Sequence, residues 1–193
     1  ELNFTVMERS LLEAPRELPG LLLVVLFGML NGLGDIRIAA VANIIGGVGL
    51  LFFGVAPGSF TLILTFLVLY STGMHLYLPL ASTMAMSFAT GSNYGRRIGE
   101  VQSVGNLSVI LTAGVLYLLY RITNISYMAV FTFAGVAMIL AGILFLFLRS
   151  EHKLVSEKRF VFRKEYKVYY LAAIVNGARK QITLTFAPWL LID

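Results

Sequence analysis

The sequence predicts an all-α polytopic membrane protein, a bundle of about six transmembrane helices. Of its 193 residues, 58% are hydrophobic and only 13% are charged, and the mean hydropathy is +0.84. A soluble domain averages about 25% charged residues, so this chain has too little polar surface to cover a water-soluble globule. Long apolar segments also recur along the chain, separated by short loops that alternate between basic and nearly uncharged.

Six apolar segments account for the predicted helices. A helix needs about 20 mainly apolar residues to cross the hydrocarbon core of a bilayer. The predicted spans are residues 9–33, 38–55, 59–88, 101–120, 127–148 and 166–192. In the first span, Pro15 and Pro19 predict a bend. The second span contains small residues, which let neighbouring helices approach closely. These are Ala42, Gly46, Gly47 and Gly49.

The distribution of Lys and Arg predicts the orientation of the chain. Cytoplasmic loops carry an excess of Lys and Arg close to the ends of the spans. The basic loops are at residues 34–37, 89–100 and 149–165. Seven of the fifteen Lys and Arg residues lie between Arg149 and Lys167, whereas the loops on the opposite face contain only Arg121. We therefore expect the basic loops in the cytoplasm of a protein in the plasma (inner) membrane.

Composition and termini limit the remaining possibilities. The chain begins with Glu1 rather than Met and stops at Asp193 directly after an apolar run, so we expect a piece of a longer protein. Cysteine is absent, which excludes thiolate metal sites and disulfides. No phosphate-binding loop, metal cluster or nucleophile–base pair is recognisable, so neither an enzyme nor a cofactor is predicted. The expected partners are a small-molecule substrate, the lipid bilayer and the remaining helices of the parent chain, not nucleic acid.

Two adjacent cations, Arg179 and Lys180, lie deep in the last predicted span. They follow Lys167 by twelve and thirteen residues, which is about 18–20 Å along a helix. An ionisable residue inside a span is costly and usually faces a cavity or a partner. With Asn176 and Thr183 the cations form a polar stripe, predicted to line a central cavity. We expect Arg179 or Lys180 to bind an anionic substrate group or to pair with a titrating carboxylate; alternatively, they form a structural salt bridge or lie at the edge of a shorter span.

A second charged cluster lies in the first predicted span. Glu13 and Glu17 are four residues apart, and Arg16 lies three residues after Glu13, so all three share one helix face. A carboxylate held in a low dielectric beside a second carboxylate binds a proton more readily, as proton coupling requires. We predict Glu13 and Glu17 as proton-coupling residues and Arg16 as a cavity residue. The alternative is an exposed, solvated end of the helix without a role.

Five further residues are candidates for transport chemistry. His75 lies near the middle of the third predicted span, and histidine changes its charge near neutral pH. It is either a cavity residue that takes part in proton coupling or an ordinary hydrogen-bonding residue. Asp35, Arg37, Arg96 and Arg97 are predicted to form a cytoplasmic gate by ion pairing, and their simpler role is to enforce the topology.

Short motifs in a fixed order carry a resemblance to a known family. Gly73 and Pro79 precede a polar turn and the sequence Gly95-Arg96-Arg97-Ile98-Gly99. Leu33 and Asp35 match a signature written GxLxDRxGRR. Together these features resemble the major facilitator superfamily of transporters, in its fourth helix, the following loop and the loop between its second and third helices.

The resemblance implies which helices of the family this chain contains, and it implies a function. Residues 1–148 would be helices 2–6 of the N-terminal half, residues 149–165 the cytoplasmic linker, and residues 166–193 the seventh helix. The function implied is secondary-active transport of a small solute by alternating access, as a symporter or antiporter, with proton coupling as an option. Residues 105–114 lack the Gly-Pro pair of drug antiporters, which argues against that activity. The alternative is a complete six-helix membrane protein that acts as a channel, scaffold or membrane-enzyme subunit.

Overall fold

The computed structural model is α-helical throughout the residues it describes. Secondary structure is described for residues 6–30, 32–55, 59–89, 93–148 and 164–186, and side-chain surroundings for the same residues except 6–11 and 180–186. The helices are α1 Val6–Leu21, α2 Leu23–Leu30, α3 Asp35–Val55, α4 Phe60–Ser87, α5 Tyr94–Thr123, α6 Tyr127–Leu146 and α7 Lys167–Phe186, with a 3-10 turn at Lys164–Tyr166. This confirms the all-α fold class.

Four helices in the described part of the chain are long and apolar enough to cross a membrane. They are α3, α4, α5 and α6. The first predicted span is divided between α1 and α2, and α7 is made more polar by Asn176, Arg179 and Lys180. The helices nevertheless follow the order of the six predicted spans. Residues 149–163, most of the predicted linker, lie outside the described residues.

The helix is interrupted at Leu22, between α1 and α2. Pro15 and Pro19 lie inside α1, and a proline inside a helix has no N–H to donate and clashes with the carbonyl four residues earlier. The N–H of Leu22 still donates to the carbonyl of Leu18 at 3.1 Å, and that of Leu26 donates to the carbonyl of Leu22 at 3.0 Å. Helix α1 thus continues through both prolines and is interrupted only at Leu22, so the bend expected from the two prolines stays a prediction.

Glycines let α3 pack tightly between α4 and α6. A side-chain carbon added at Gly73 of α4 would lie 2.6 Å from the Cα atom of Gly46 on α3. One added at Gly47 of α3 would lie 2.7 Å from the carbonyl oxygen of Gly135 on α6. Both positions are thus filled by the neighbouring backbone. The close helix approach predicted from the small residues of the second span is confirmed.

A small apolar core holds the same helices together near the loop before α3. Ile38 and Ala39 of α3 are buried against Leu80 and Met84 of α4. Side chains from α2, α4 and α6 surround them. These are Phe27, Leu30, Tyr77 and Phe145. The core therefore fixes α2, α3, α4 and α6 relative to one another, and α1 continues from α2 along α4.

Helices α5 and α7 differ from this packed core. None of the residues of α5 is buried, and Val109 and Ile110 in its middle are each 68% exposed. The described side chains of α7 are likewise exposed, apart from the half-buried Tyr170. In a membrane such surfaces face lipid or further helices.

Two predicted loops are shorter than expected. Helix α5 begins at Tyr94, so Arg96 and Arg97 are helical rather than part of a loop at residues 89–100. Their pairing with Glu100 three and four residues later stabilises this first turn. Likewise α3 begins at Asp35, directly after Gly34, whose φ of +76° suits glycine. The charged residues of both loops thus begin helices.

Candidate functional site

Two groups of residues that are separate in the sequence meet in the structure. Glu13, Arg16 and Glu17 lie on α1, and His75 lies on α4. The Nε2 atom of His75 is 3.2 Å from Oε2 of Glu17. A predicted proton-coupling residue and a predicted cavity residue are therefore in direct contact, and this contact joins α1 to α4.

Arg16 connects the two carboxylates of α1. Its Nη2 atom lies 2.6 Å from Oε2 of Glu13 and 3.0 Å from Oε1 of Glu17. The side chains of Glu13 and His75 are 19% and 12% exposed, and that of Glu17 is 45% exposed. Glu17 therefore lies at the edge of the cluster and reaches a guanidinium with one oxygen and an imidazole with the other.

Ser71 of α4 completes the cluster, and the sequence analysis missed it. Its side chain is fully buried, and its hydroxyl donates a hydrogen bond to the carbonyl oxygen of Arg16. The same hydroxyl lies 3.0 Å from Nδ1 of His75. Ser71 precedes His75 by four residues, which places both on one face of α4. That spacing is the signal that would have identified it.

A glycine on α1 makes room for the imidazole ring. A side-chain carbon added at Gly20 would lie 2.6 Å from Cδ2 and 2.8 Å from Nε2 of His75. At Gly28 of α2, by contrast, an added carbon would meet nothing within 4 Å. A larger residue at position 20 would therefore have to displace the imidazole ring.

The cluster lies far from both ends of α4 and close to the C-terminal end of α1, which is at Leu21. His75 is twelve residues before Ser87 and fifteen after Phe60, which corresponds to about 18 Å and 22 Å along α4. Because the hydrocarbon core of a bilayer is about 30 Å thick, a membrane-spanning α4 carries His75 near its middle. The intramembrane position of the cluster stays a prediction, with the solvated helix end as its alternative.

The predicted gate residues on α5 pair within their own helix. The Nε atom of Arg96 and the Nη1 atom of Arg97 each lie 3.0 Å from a carboxylate oxygen of Glu100. Among the ion pairs of the described residues, none joins Asp35 or Arg37 to these arginines. With Phe88, Ala89 and Asn93, the three side chains line an open cavity of about 250 Å³ between α4 and α5.

The polar stripe predicted on the last span falls on α7. Asn176 donates from Nδ2 to the carbonyl oxygen of Ala172 at 3.1 Å. Arg179 lies on the exposed part of this helix. The side chains of Lys180 and Thr183 lie outside the described residues. The assignment of this stripe to a central cavity stays a prediction.

Comparison with known proteins gives the family. The family model described as Major Facilitator Superfamily matches residues 2–192, which includes every helix from α1 to α7. A search of curated proteins and a search of solved structures found no match. The family match agrees with the four membrane-length helices and with the motifs around α4. The chain therefore belongs to the Major Facilitator Superfamily of membrane transporters.

Proposed function

We propose that the protein is a secondary-active transporter that moves a small solute by alternating access and couples this movement to protons. Membership of the family supports membrane transport. The observation that carries proton coupling is the 3.2 Å contact between Glu17 and His75 in the middle of α4. Ionisable side chains at this depth are costly, and they mark substrate pathways and proton relays in membrane proteins.

Within this proposal, the members of the cluster have different roles. Glu17 and His75 are the proton-coupling pair, and Arg16 holds the carboxylate of Glu17 by its ion pair at 3.0 Å. Glu13 shares the same guanidinium at 2.6 Å. A change of protonation would alter the charge balance between α1 and α4. Such a change can bias a transporter between its two orientations, because the proton then binds the two states with different affinity.

The proposed substrate is an anionic or zwitterionic solute. Arg179 and Lys180 on α7 carry this part of the proposal, together with Asn176 and Thr183 at helical spacing. Cationic side chains bind carboxylate and phosphate groups through charge-assisted hydrogen bonds. In transporters of this kind the substrate site lies near the bilayer midplane, between the structural repeats. If α7 is the first helix of the C-terminal half, its polar stripe would face this site.

The proposed topology places the protein in the plasma (inner) membrane with its basic loops in the cytoplasm. Arg37, Arg96 and Arg97 lie in the first turns of α3 and α5, where positive charges favour the cytoplasmic side. Asp35 lies in the first turn of α3 as well. A cytoplasmic gate made from these four residues would require α3 and α5 to approach each other during the transport cycle.

Transport by the full-length protein in liposomes tests the proposed function. Dicarboxylates, amino acids and sugar phosphates, each radiolabelled, are offered with and without an inward proton gradient. We expect at least one solute to accumulate only with the gradient. Arg179→Ala and Lys180→Ala should reduce its uptake at least tenfold, whereas Lys164→Ala, a cation in the turn before α7, should not. Wild-type uptake of every solute in both variants would rule out their role, and absence of gradient-driven uptake would contradict proton coupling.

A further inference from the structure

We infer that the cavity between the end of α4 and the start of α5 binds the phosphate headgroup of an anionic phospholipid, whose acyl chains lie along the exposed apolar face of α5. The inference requires that α4 and α5 cross the membrane, for which both are long and apolar enough. It goes beyond the proposed function, because it involves neither the transported solute nor the proton. Lipid binding is also measurable without transport.

The charge pattern of α5 places this cavity at the depth of the lipid headgroups. Residues 101–120 contain no charged side chain, and this length of helix spans about 30 Å, which is the thickness of the hydrocarbon core. Arg96 and Arg97 precede the uncharged segment by five and four residues, which is about 6–8 Å along the helix. The headgroup region on each side of the core is about 5–8 Å deep. Both arginines therefore lie at the level of the lipid phosphates.

The side chains that line the cavity carry more positive than negative charge. The cavity is open, has a volume of about 250 Å³ and is lined by residues from both helices. These are Phe88, Ala89, Asn93, Arg96, Arg97 and Glu100. Two guanidinium groups share a single carboxylate among these lining residues, which leaves one positive charge in excess. Basic pockets between transmembrane helices bind the headgroups of anionic lipids.

Both arginines keep hydrogen-bond donors for a phosphate group. Arg96 donates from Nε and Arg97 from Nη1 to the two carboxylate oxygens of Glu100, each at 3.0 Å. A guanidinium has five N–H donors, and within the described residues these hydrogen bonds use one from each arginine. Both side chains are exposed, and arginine binds phosphate through pairs of charge-assisted hydrogen bonds. The exposed amide of Asn93, which makes no capping hydrogen bond within the described part of α5, is a further donor beside them.

The surface next to the cavity is apolar, which indicates a lipid rather than a soluble anion. Three apolar residues follow Glu100 on one face of α5, at intervals of four, three and four residues. They are Val104, Leu107 and Leu111, and each is more than half exposed. No described helix covers this face, because none of the residues of α5 is buried. A phospholipid fits both parts of this surface, with its phosphate in the cavity and its acyl chains against the apolar residues.

Binding of phosphatidylglycerol to the full-length protein in detergent, counted by native mass spectrometry, tests the inference. We expect one molecule to bind more tightly than phosphatidylcholine, which has a phosphate but no net charge. Each Lys or Arg near an anionic lipid contributes about fivefold to binding, so the double change Arg96→Gln and Arg97→Gln should lower this affinity at least fivefold. Arg121→Gln, at the other end of α5, is the control and should retain it. Equal affinities for the two lipids, or an equal loss in Arg121→Gln, would overturn the inference.

A second variant covers the case in which the double change unfolds the protein. Glu100→Gln removes the carboxylate that competes with phosphate for both guanidinium groups, so the affinity for phosphatidylglycerol should rise. An unchanged or lower affinity would contradict binding in this cavity.

Soluble glycerol phosphate distinguishes a lipid from a free anion at the same site. At a concentration equal to that of the lipid, it should leave the bound phosphatidylglycerol in place, because it has no acyl chains to contact the apolar face of α5. Displacement of the lipid by glycerol phosphate at this concentration would indicate a site for a soluble phosphate ester and would overturn the lipid assignment.

Discussion

Helix α4 meets α3 and α1 through two different kinds of contact. Towards α3, Gly73 brings its backbone against that of Gly46. Towards α1, Ser71 and His75 on the same helix form hydrogen bonds with Arg16 and Glu17. The first contact is made by backbone atoms, whereas the second is made by polar and ionisable side chains. A single helix therefore combines close backbone packing on one side with hydrogen bonds and an ion pair on the other.

The membrane environment explains why the two contacts have different strengths. Lipid tails are as apolar as the side chains of helices, so helix association depends on close packing and on hydrogen bonds. Interhelical hydrogen bonds in a membrane contribute only about 0.6 kcal/mol on average. We therefore expect the stability of the bundle to lie mainly in the glycine-packed contacts of α3, and less in the contact of α1 with α4.

The largest effect on stability is expected for Gly47→Ala. The added methyl group would lie 2.7 Å from the carbonyl oxygen of Gly135 and 2.9 Å from the backbone nitrogen of Ile139. Overpacking of this kind costs about 1–3 kcal/mol, so the melting temperature of the purified protein in detergent should fall. Gly105→Ala on α5, where an added carbon meets nothing within 4 Å, is the control. An equal fall in both would mean that α3 is not tightly packed.

A smaller effect on stability, with a large effect on coupling, is expected for Gly20→Ala. The methyl group would overlap the ring of His75, 2.6 Å from Cδ2, and would push the imidazole away from Glu17. Misplacement of a reacting group by about 1 Å lowers a rate by up to about a hundredfold, so proton-driven uptake in liposomes should fall at least tenfold. The control is Gly28→Ala, which should retain wild-type uptake. Wild-type uptake in Gly20→Ala as well would show that transport does not depend on the position of His75 against α1.

The smallest effect is expected for Ser71→Ala. This change removes the donor to the carbonyl of Arg16 and one acceptor beside Nδ1 of His75. A hydrogen bond between helices in a membrane contributes about 0.6 kcal/mol on average, so the melting temperature should fall less than in Gly47→Ala. The matched control is Ser108→Ala, because the hydroxyl of Ser108 donates at 3.0 Å to its own helix at Val104. Indistinguishable melting of both variants would argue against a Ser71 bond between helices.

The order of the helices was predictable from the sequence, because apolar length and Lys/Arg placement are local properties of a membrane chain. The start of α5 was not, because Arg96, Arg97 and Glu100 are charged enough to suggest a loop. Their spacing nevertheless pairs them within one helical turn. A charged stretch can therefore form the first turn of a helix as well as a loop.

The candidate site was predictable only in part. The spacing of Glu13, Arg16 and Glu17 shows that they share a face, and the depth of His75 shows that it is unusual. Their meeting joins positions 58 residues apart, and helical periodicity does not specify which face of one helix meets which face of another. Gly20, whose space is filled by the imidazole ring, becomes recognisable only once α1 lies against α4.

The most direct test of the account is the comparison of proton-driven accumulation with solute exchange in Glu17→Gln. Full-length protein in liposomes is loaded with a transported solute, and uptake is recorded with an inward proton gradient and, separately, as exchange without one. We predict that Glu17→Gln loses gradient-driven accumulation and retains exchange, whereas Glu165→Gln, in the turn before α7, retains both. Wild-type accumulation in Glu17→Gln would contradict a coupling proton held between Glu17 and His75.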